Sequence, residues 1–383
     1  MQILHVLTSL DPKAGGPPKA MVGLASAQAQ AGDRVTVLAT FGAHDSPDYA
    51  DVLRQASVDV KLVGPVVTPI GWCSSLRREV AEAVSASEVV HVHGMWEQVQ
   101  HSACRAASST GIPYVIRPCG MLDPWSLRQS ALRKRLFLKL RVKRNLDRAA
   151  AIHFTTPAEA SNAEPLRIAS PSLVEPNGID LAEFESLPQR GVFDRLCAGL
   201  EGRPYVLFLG RLHHKKGPDL LIQAFAGAGD GGFDLVLAGP GEPTYLAELE
   251  ALAGRLGLGG RVHFPGMLHG GDRVAALAEA ELFCLFSYQE NFGIAVLEAM
   301  AAGTAVVVSD EVALCTVVDR EGVGGVVPME PGPQAAALRA WLSDDEKRRE
   351  AGGRGRTLAF QTYDWRAIAT RWRGHYQTLR SRR

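Results

Sequence analysis

Short aliphatic runs separated by helical stretches occur twice over in this chain, and that repetition limits the fold more than any other feature. In the first half the runs are ILHVLTSL, RVTVLAT, VDVKLV, VVHVHG, PYVIRP and AAIHFTT. Strands that are apolar at nearly every position are buried on both faces, as in a parallel sheet covered by helices. Their alternation with helices predicts a doubly wound α/β layer. The pattern lapses over Leu187 to Pro204, where LPQRGVFDRLCAGLEGRP carries proline near both ends and no strand. This stretch is expected to link two domains. The alternation restarts with YVLFLG, FDLVLAG, RVHFPG, LFCLFS and AVVVSD. Domains are therefore predicted at 1–190 and 200–360, with a basic amphipathic helix over 361–383.

A length of 383 residues suits two such cores. The formal net charge is zero, so nothing global favours nucleic acid as a partner. None of the six cysteines forms a C-x-x-C pair or a cluster with zinc spacing, so no metal site is expected. Cys284 and Cys315 read as small core side chains. Reduced thiols and an N-terminus without a basic n-region point to a cytoplasmic protein. No apolar run reaches the length of a membrane-spanning helix.

Ligands of open α/β sheets bind beyond the carboxyl ends of the strands, so the loops after strands are where chemistry is expected. In LGRLHHKKGPDLL, Arg211 and Lys216 follow a strand and offer two cations to a diphosphate. In LAGPGEP, Gly241 lets backbone approach a ligand. This G-x-G lacks the rest of the dinucleotide fingerprint, which argues against a nicotinamide cofactor. In SYQENFGIAVLEAMAAG, Asn291, Phe292 and Gly293 lead into a helix starting near Ile294, whose free amides attract anions. Glu290 and Glu298 would be repelled by phosphate. Ionised carboxylates accept hydrogen bonds, so sugar hydroxyls are their natural partners. The other reading is an exposed Glu290 and an ion-paired Glu298.

The run from GRLHHKKGPDLLIQAF through LAGPGE and VHFPGML to FSYQENFGIAVLEAM resembles the retaining glycosyltransferases of glycosyltransferase family 4. The resemblance implies the GT-B fold, with two Rossmann-like domains facing a central cleft. It implies that Arg211 and Lys216 bind the diphosphate of a UDP- or GDP-linked sugar, that Glu290 contacts the sugar and that Glu298 contacts the ribose. It places the amides of Asn291 to Gly293 at phosphate and sugar. In the first domain GGPPKA resembles the glycine loop in which Gly15 and Gly16 approach the donor phosphate. VHVHGMW resembles a loop in which His93 touches acceptor or donor, a role that competes with a structural one. Many relatives carry a catalytic His where this chain has Cys119, so either Cys119 and neighbouring backbone fill that space, or His93 or Arg117 serves instead. The final helix is implied to pack back on the first domain.

Between Arg128 and Arg148 nine basic residues face one acid, Asp147. Leu132, Leu136 and Leu140 mark one helical face. Such a segment suits anionic lipid or a phosphorylated acceptor, or it is a solvated face over a core stripe. Together these features lead us to expect transfer of a sugar to a carbohydrate or lipid-linked hydroxyl acceptor, in polysaccharide or glycolipid biosynthesis. The cations at the diphosphate make a metal or other cofactor unnecessary. An epimerase, a glycosyl phosphorylase or a non-catalytic sugar-nucleotide-binding subunit are the alternatives.

Overall fold

The computed structural model describes residues 1–67, 71–128, 131–229 and 232–381, without the side chains of 131 and 133. The chain forms two compact units. One is Met1–Gly178 with the segment from Trp365 onward, and the other is Ile179–Asp364.

The first unit holds a sheet of seven strands: β1 (Gln2–Leu7), β2 (Arg34–Thr40), β3 (Asp59–Val63), β4 (Val89–His93), β5 (Tyr114–Arg117), β6 (Ala151–Phe154) and β7 (Ser172–Val174). Their order is β3-β2-β1-β4-β5-β6-β7, and every pairing is parallel. The sheet therefore reverses its winding between β1 and β4. On one face the C-terminal helix Trp365–Ser381 lays Ile368, Trp372, Tyr376 and Leu379 against Ile3, Val89, Val115 and Ala151. Residues 382 and 383 of the expected final helix lie outside the described ones.

The second unit has six strands: β8 (Tyr205–Leu209), β9 (Asp234–Ala238), β10 (Val262–Gly266), β11 (Leu282–Leu285), β12 (Val306–Ser309) and β13 (Gly324–Val327). Their order is β10-β9-β8-β11-β12-β13, again parallel throughout. β8, β9 and β11 are buried at every position, which is why they read as unbroken apolar runs. The winding reverses between β8 and β11.

Two expectations need correction. The stretch Leu187–Pro204 lies inside the second unit and is not a linker at its border. Its Phe193, Cys197 and Leu200 are buried in the second core, and the buried Glu279 carboxylate accepts the amides of Gly191 and Phe193 at 2.9 and 2.8 Å. Cys284 is a core residue, but Cys315 is only half-buried.

Candidate functional site

β8 and β11 are neighbours where the second sheet reverses, and the chain leaving each runs on to the strand on its other side, so this is where a ligand of an open α/β sheet is expected. Glycines let the loop after β8 pack against the ends of both its neighbours, β11 and β9. A side chain at Gly217, whose φ is +62°, would stand 2.1 Å from the Phe286 carbonyl oxygen, so the loop carrying Lys216 presses directly on the end of β11. A side chain at Gly239 would stand 1.9 Å from the Gly210 carbonyl oxygen. The Tyr288 amide then donates to the Lys215 carbonyl at 2.9 Å.

This packing places Lys216 Nζ in hydrogen-bond contact with Glu290 Oε2. Burial, with the Lys215 and Arg211 charges, pushes the Lys216 amine down to about 8. The Glu290 carboxylate works the other way, since an opposite charge in contact favours the ammonium form. Glu290 is itself fixed by its backbone, which donates to Glu311 O at 3.1 Å and accepts from Ala313 N at 2.9 Å. Arg211 is exposed beside this pair.

The helix Ile294–Ala302 begins immediately after Gly293. Asn291 is half-buried, whereas the Phe292 ring is buried edge-on to Tyr363, which leaves its backbone as the group that can meet a ligand. Glu298 is buried one turn into the helix, and Arg273 on the helix Gly270–Glu279 pairs with both Glu298 and Glu183. Both acids are ion-paired in the structure, as the other reading held for Glu298, whereas Glu290 is half-buried and not exposed. Glu290 is held by Lys216 and Glu298 by Arg273, a residue the sequence reading missed. Gly241 has a local packing task as well. A side chain there would lie 3.0 Å from Leu212 Cβ, so the glycine also lets the loops after β8 and β9 pack closely.

In the first unit Gly15 and Gly16 are exposed at the start of the helix Gly16–Gln30, in the loop after β1. His93 is not in a loop. It is the last residue of β4, only 3% exposed, and its ring stacks on His91 and His5. These rings and His153 form a buried array. The Glu175 carbonyl can only accept, so His153 donates to it through Nε2 at 2.8 Å. Neutral His153 then accepts from His91 Nε2 at 3.2 Å, and His91 Nδ1 accepts from Tyr376 Oη at 2.7 Å. The Gln28 amide oxygen accepts from His5 Nε2 at 2.7 Å, and His5 Nδ1 from His93 Nε2 at 2.9 Å. Burial lowers His5 to about 4 and holds the other three well below the usual histidine range.

His5, His91 and His93 place ring nitrogens within 4.8 Å of one another, close enough to suggest a metal. Their rings are stacked, with interplanar angles of 19–29°. Lone pairs of stacked rings run side by side and do not converge on one ion, and both His5 nitrogens are already bonded. The array fits a neutral hydrogen-bonded core better than a metal centre.

Residues 198–358 match the family Glycosyl transferases group 1, and residues 15–178 match the Glycosyl transferase 4-like domain. The chain belongs to the group 1 glycosyltransferases. Among relatives, this group 1 glycosyltransferase is 34% identical over 209 residues to the phosphatidyl-myo-inositol mannosyltransferase of Mycobacterium leprae, a match covering 53% of each chain. It spans about half the length of the curated relatives it matches in this way. An uncharacterised glycosyltransferase of Methanocaldococcus jannaschii is 28% identical over 401 residues, covering 96% of both chains. The structure of Anabaena Alr3699/HepE in complex with UDP superposes with a TM-score of 0.81 at 21% identity, covering 99% of this chain and 100% of that one. WaaG, a glycosyltransferase involved in lipopolysaccharide biosynthesis, gives 0.71 at 20% identity, covering 96% and 98%. The group 1 glycosyltransferase therefore has the GT-B pair of Rossmann-like units.

Proposed function

We propose that the protein transfers a sugar from a nucleotide diphosphate sugar to a hydroxyl acceptor with retention of configuration, in glycolipid or polysaccharide assembly. One observation carries this reading: Arg211, Lys216, Glu290 and the start of the helix Ile294–Ala302 meet where β8 and β11 diverge. The second unit takes the donor and the first takes the acceptor. Arg211, Lys216 and the helix amides receive the negative charge that grows on the departing diphosphate. The bond from the anomeric carbon to the phosphate oxygen breaks as the bond to the acceptor oxygen forms. The acceptor's proton passes to the leaving phosphate on the same face. The protein's cations take the place a metal would fill. Glu290 orients the sugar, and Glu298, fixed by Arg273, serves the ribose. His93 contributes from the end of β4 in the first unit, held within the buried array. The UDP in the Anabaena structure and the inositol lipid named for the mycobacterial relative support this choice of substrate classes.

The finer reading is that the basic segment holds the enzyme on anionic lipid at the inner face of the membrane. Leu132, Leu136 and Leu140 are 85%, 61% and 74% exposed, so they do not form the core stripe that was the alternative. The buried side of the segment is supplied by Val142, Asn145 and Leu146. Among the described residues no helix is long and apolar enough to cross a membrane. Exposed leucines ringed by Lys134, Arg135, Lys139 and Arg144 suit an interfacial helix.

A screen of UDP- and GDP-sugars by thermal shift, followed by transfer assays and NMR of the product anomer, tests the main reading. The right donor raises the melting temperature through linkage. If no nucleotide sugar did so and none was consumed in the presence of acceptors, the reading would fail. Sedimentation with phosphatidylglycerol vesicles against phosphatidylcholine vesicles tests the finer one.

A further inference from the structure

The chain leaving β5 makes a turn that most residues resist. The Met121 amide donates to the Pro118 carbonyl at 3.1 Å, and the two residues between have φ of +55° (Cys119) and +74° (Gly120). Two left-handed central residues are the requirement of a type I′ turn, which favours Gly, Asn or Asp. Cysteine in the first place is a strained choice. Of the four non-glycine residues with positive φ among the described residues, it alone lies just past a strand's carboxyl end, two positions after β5 and next to β4, where the first sheet reverses. Strain of this kind persists only where surrounding structure imposes it.

The Cys119 thiol donates to the Arg117 carbonyl at 3.5 Å, and on the other side of the turn a buried carboxylate holds the Gly120 amide. Thr156-Pro-Ala-Glu159 reads as a capping box, and the Thr156 hydroxyl accepts the Glu159 amide at 3.1 Å as such a box requires. The Glu159 side chain does not complete the box on Thr156. Its Oε2 accepts the Thr155 amide and hydroxyl at 2.7 and 2.8 Å, and its Oε1 crosses to the Gly120 amide at 2.9 Å. A capping acid has been turned into a tie between the helix after β6 and the turn after β5. On the strand side of the turn, Arg117 is held by Asn177 at 2.7 Å, while Arg117 Nε and His93 Nδ1 are buried without partners. Unsatisfied buried groups of this sort are rare and ask for a purpose.

We propose that Glu159 is a positioning residue for sugar transfer, holding the strained Cys119–Gly120 turn in the left-handed form that the reaction uses. The inference rests on the transferase reading given above. Its content is that Glu159 acts through the turn and not through the fold as a whole. Glycine at 119 adopts the left-handed form without strain and so needs no tie. The consequence of losing Glu159 should therefore be relieved by a change at Cys119, some forty positions away.

The test is a double-mutant cycle on the full chain, using the nucleotide sugar that the wild type consumes fastest. Glu159→Gln keeps the shape of the side chain but sets an amide against three donors. It should lower kcat by about tenfold to a hundredfold, as misplacement of a contact by about 1 Å does, with the donor KM moving less than about threefold. Glu159→Gln combined with Cys119→Gly should recover most of that loss. The melting temperature of Glu159→Gln should fall and should not be restored to the same degree, which separates positioning from stability. If Glu159→Gln were insoluble, Glu159→Asp, which shortens the tie, would replace it with the same expectations. Unchanged kcat in the single variant, or equal losses with and without Cys119→Gly, would overturn the inference. A wild-type chain that consumed no nucleotide sugar would instead remove the transferase reading itself.

Discussion

Lys216 Nζ donates to Glu290 Oε2 across the seam where β8 and β11 part. A cation suited to a diphosphate and an acid suited to a sugar therefore hold one another, and a phosphate entering beside Lys216 competes with Glu290 for its protons. On the proposed reading, donor binding and reorientation of the acid would be linked. Lys216→Ala should lower turnover by about 10²–10³, the usual consequence of losing a group that stabilises developing charge.

Glu290→Gln tests the same pair by pH. The Lys216 amine already sits at about 8, and its carboxylate partner resists a further fall. Without that charge the amine loses its proton at lower pH. The alkaline limb of kcat/KM against pH should move to lower pH in the variant, and an unmoved limb would show that Lys216 does not govern it.

Arg273→Met removes the partner of a buried carboxylate. Breaking one side of a buried pair costs roughly 3–5 kcal/mol, because the remaining charge is stranded. Denaturant unfolding should show that loss. Arg273→Met with Glu298→Leu should regain much of it, while donor binding, measured by calorimetry with UDP, should weaken in every variant lacking Glu298.

Acid should undo the first unit through its histidines. His5 titrates near 4 when folded, and at about 6.5 when unfolded. Between those values the unfolded chain binds more protons, so stability is full above about 6.5 and falls as pH drops towards 4. The gap is worth on the order of 3 kcal/mol for His5 alone. His91, His93 and His153 act in the same direction, with the Arg117 charge also disfavouring their protonation. Glu175, which pairs with Arg371 and His375, lies at the edge of the array. His5→Gln should flatten the dependence of unfolding free energy on pH in this window. An unchanged slope would mean that the array does not set it.

Leu136→Asp with Leu140→Asp should abolish sedimentation with phosphatidylglycerol vesicles while leaving the melting temperature within about 2 °C, since both side chains are exposed. Binding by the wild type should weaken as salt rises, because screened charge is half of the attraction.

Strands buried on both faces were legible because nothing in them alternates. The two that escaped notice are edge strands with little apolar signal, Ser172–Val174 and Gly324–Val327. The linker was misplaced because proline and glycine at its ends outweighed a weaker clue, the spacing of Phe193, Cys197 and Leu200 that buries all three. At the site, residue types were readable but their partners were not. Lys216 with Glu290 joins elements 74 positions apart, and Glu298 with Arg273 joins two successive helices across a strand, contacts fixed by packing of the elements and not by local pattern. The histidine array did leave a mark. His5, His91, His93 and His153 each interrupt an otherwise aliphatic strand, which signals buried polar groups that must find one another.

The helix Trp365–Ser381 belongs to the first unit, yet the whole second unit is synthesised before it. On the ribosome, Ile3, Val89, Val115 and Ala151 must wait for Trp372 and Tyr376 to emerge. Until then the nascent amino-terminal half presents an uncovered apolar floor. The earlier-made unit is thus the later one to be completed, and a chain cut before Trp365 would leave that floor bare to chaperones and to other chains.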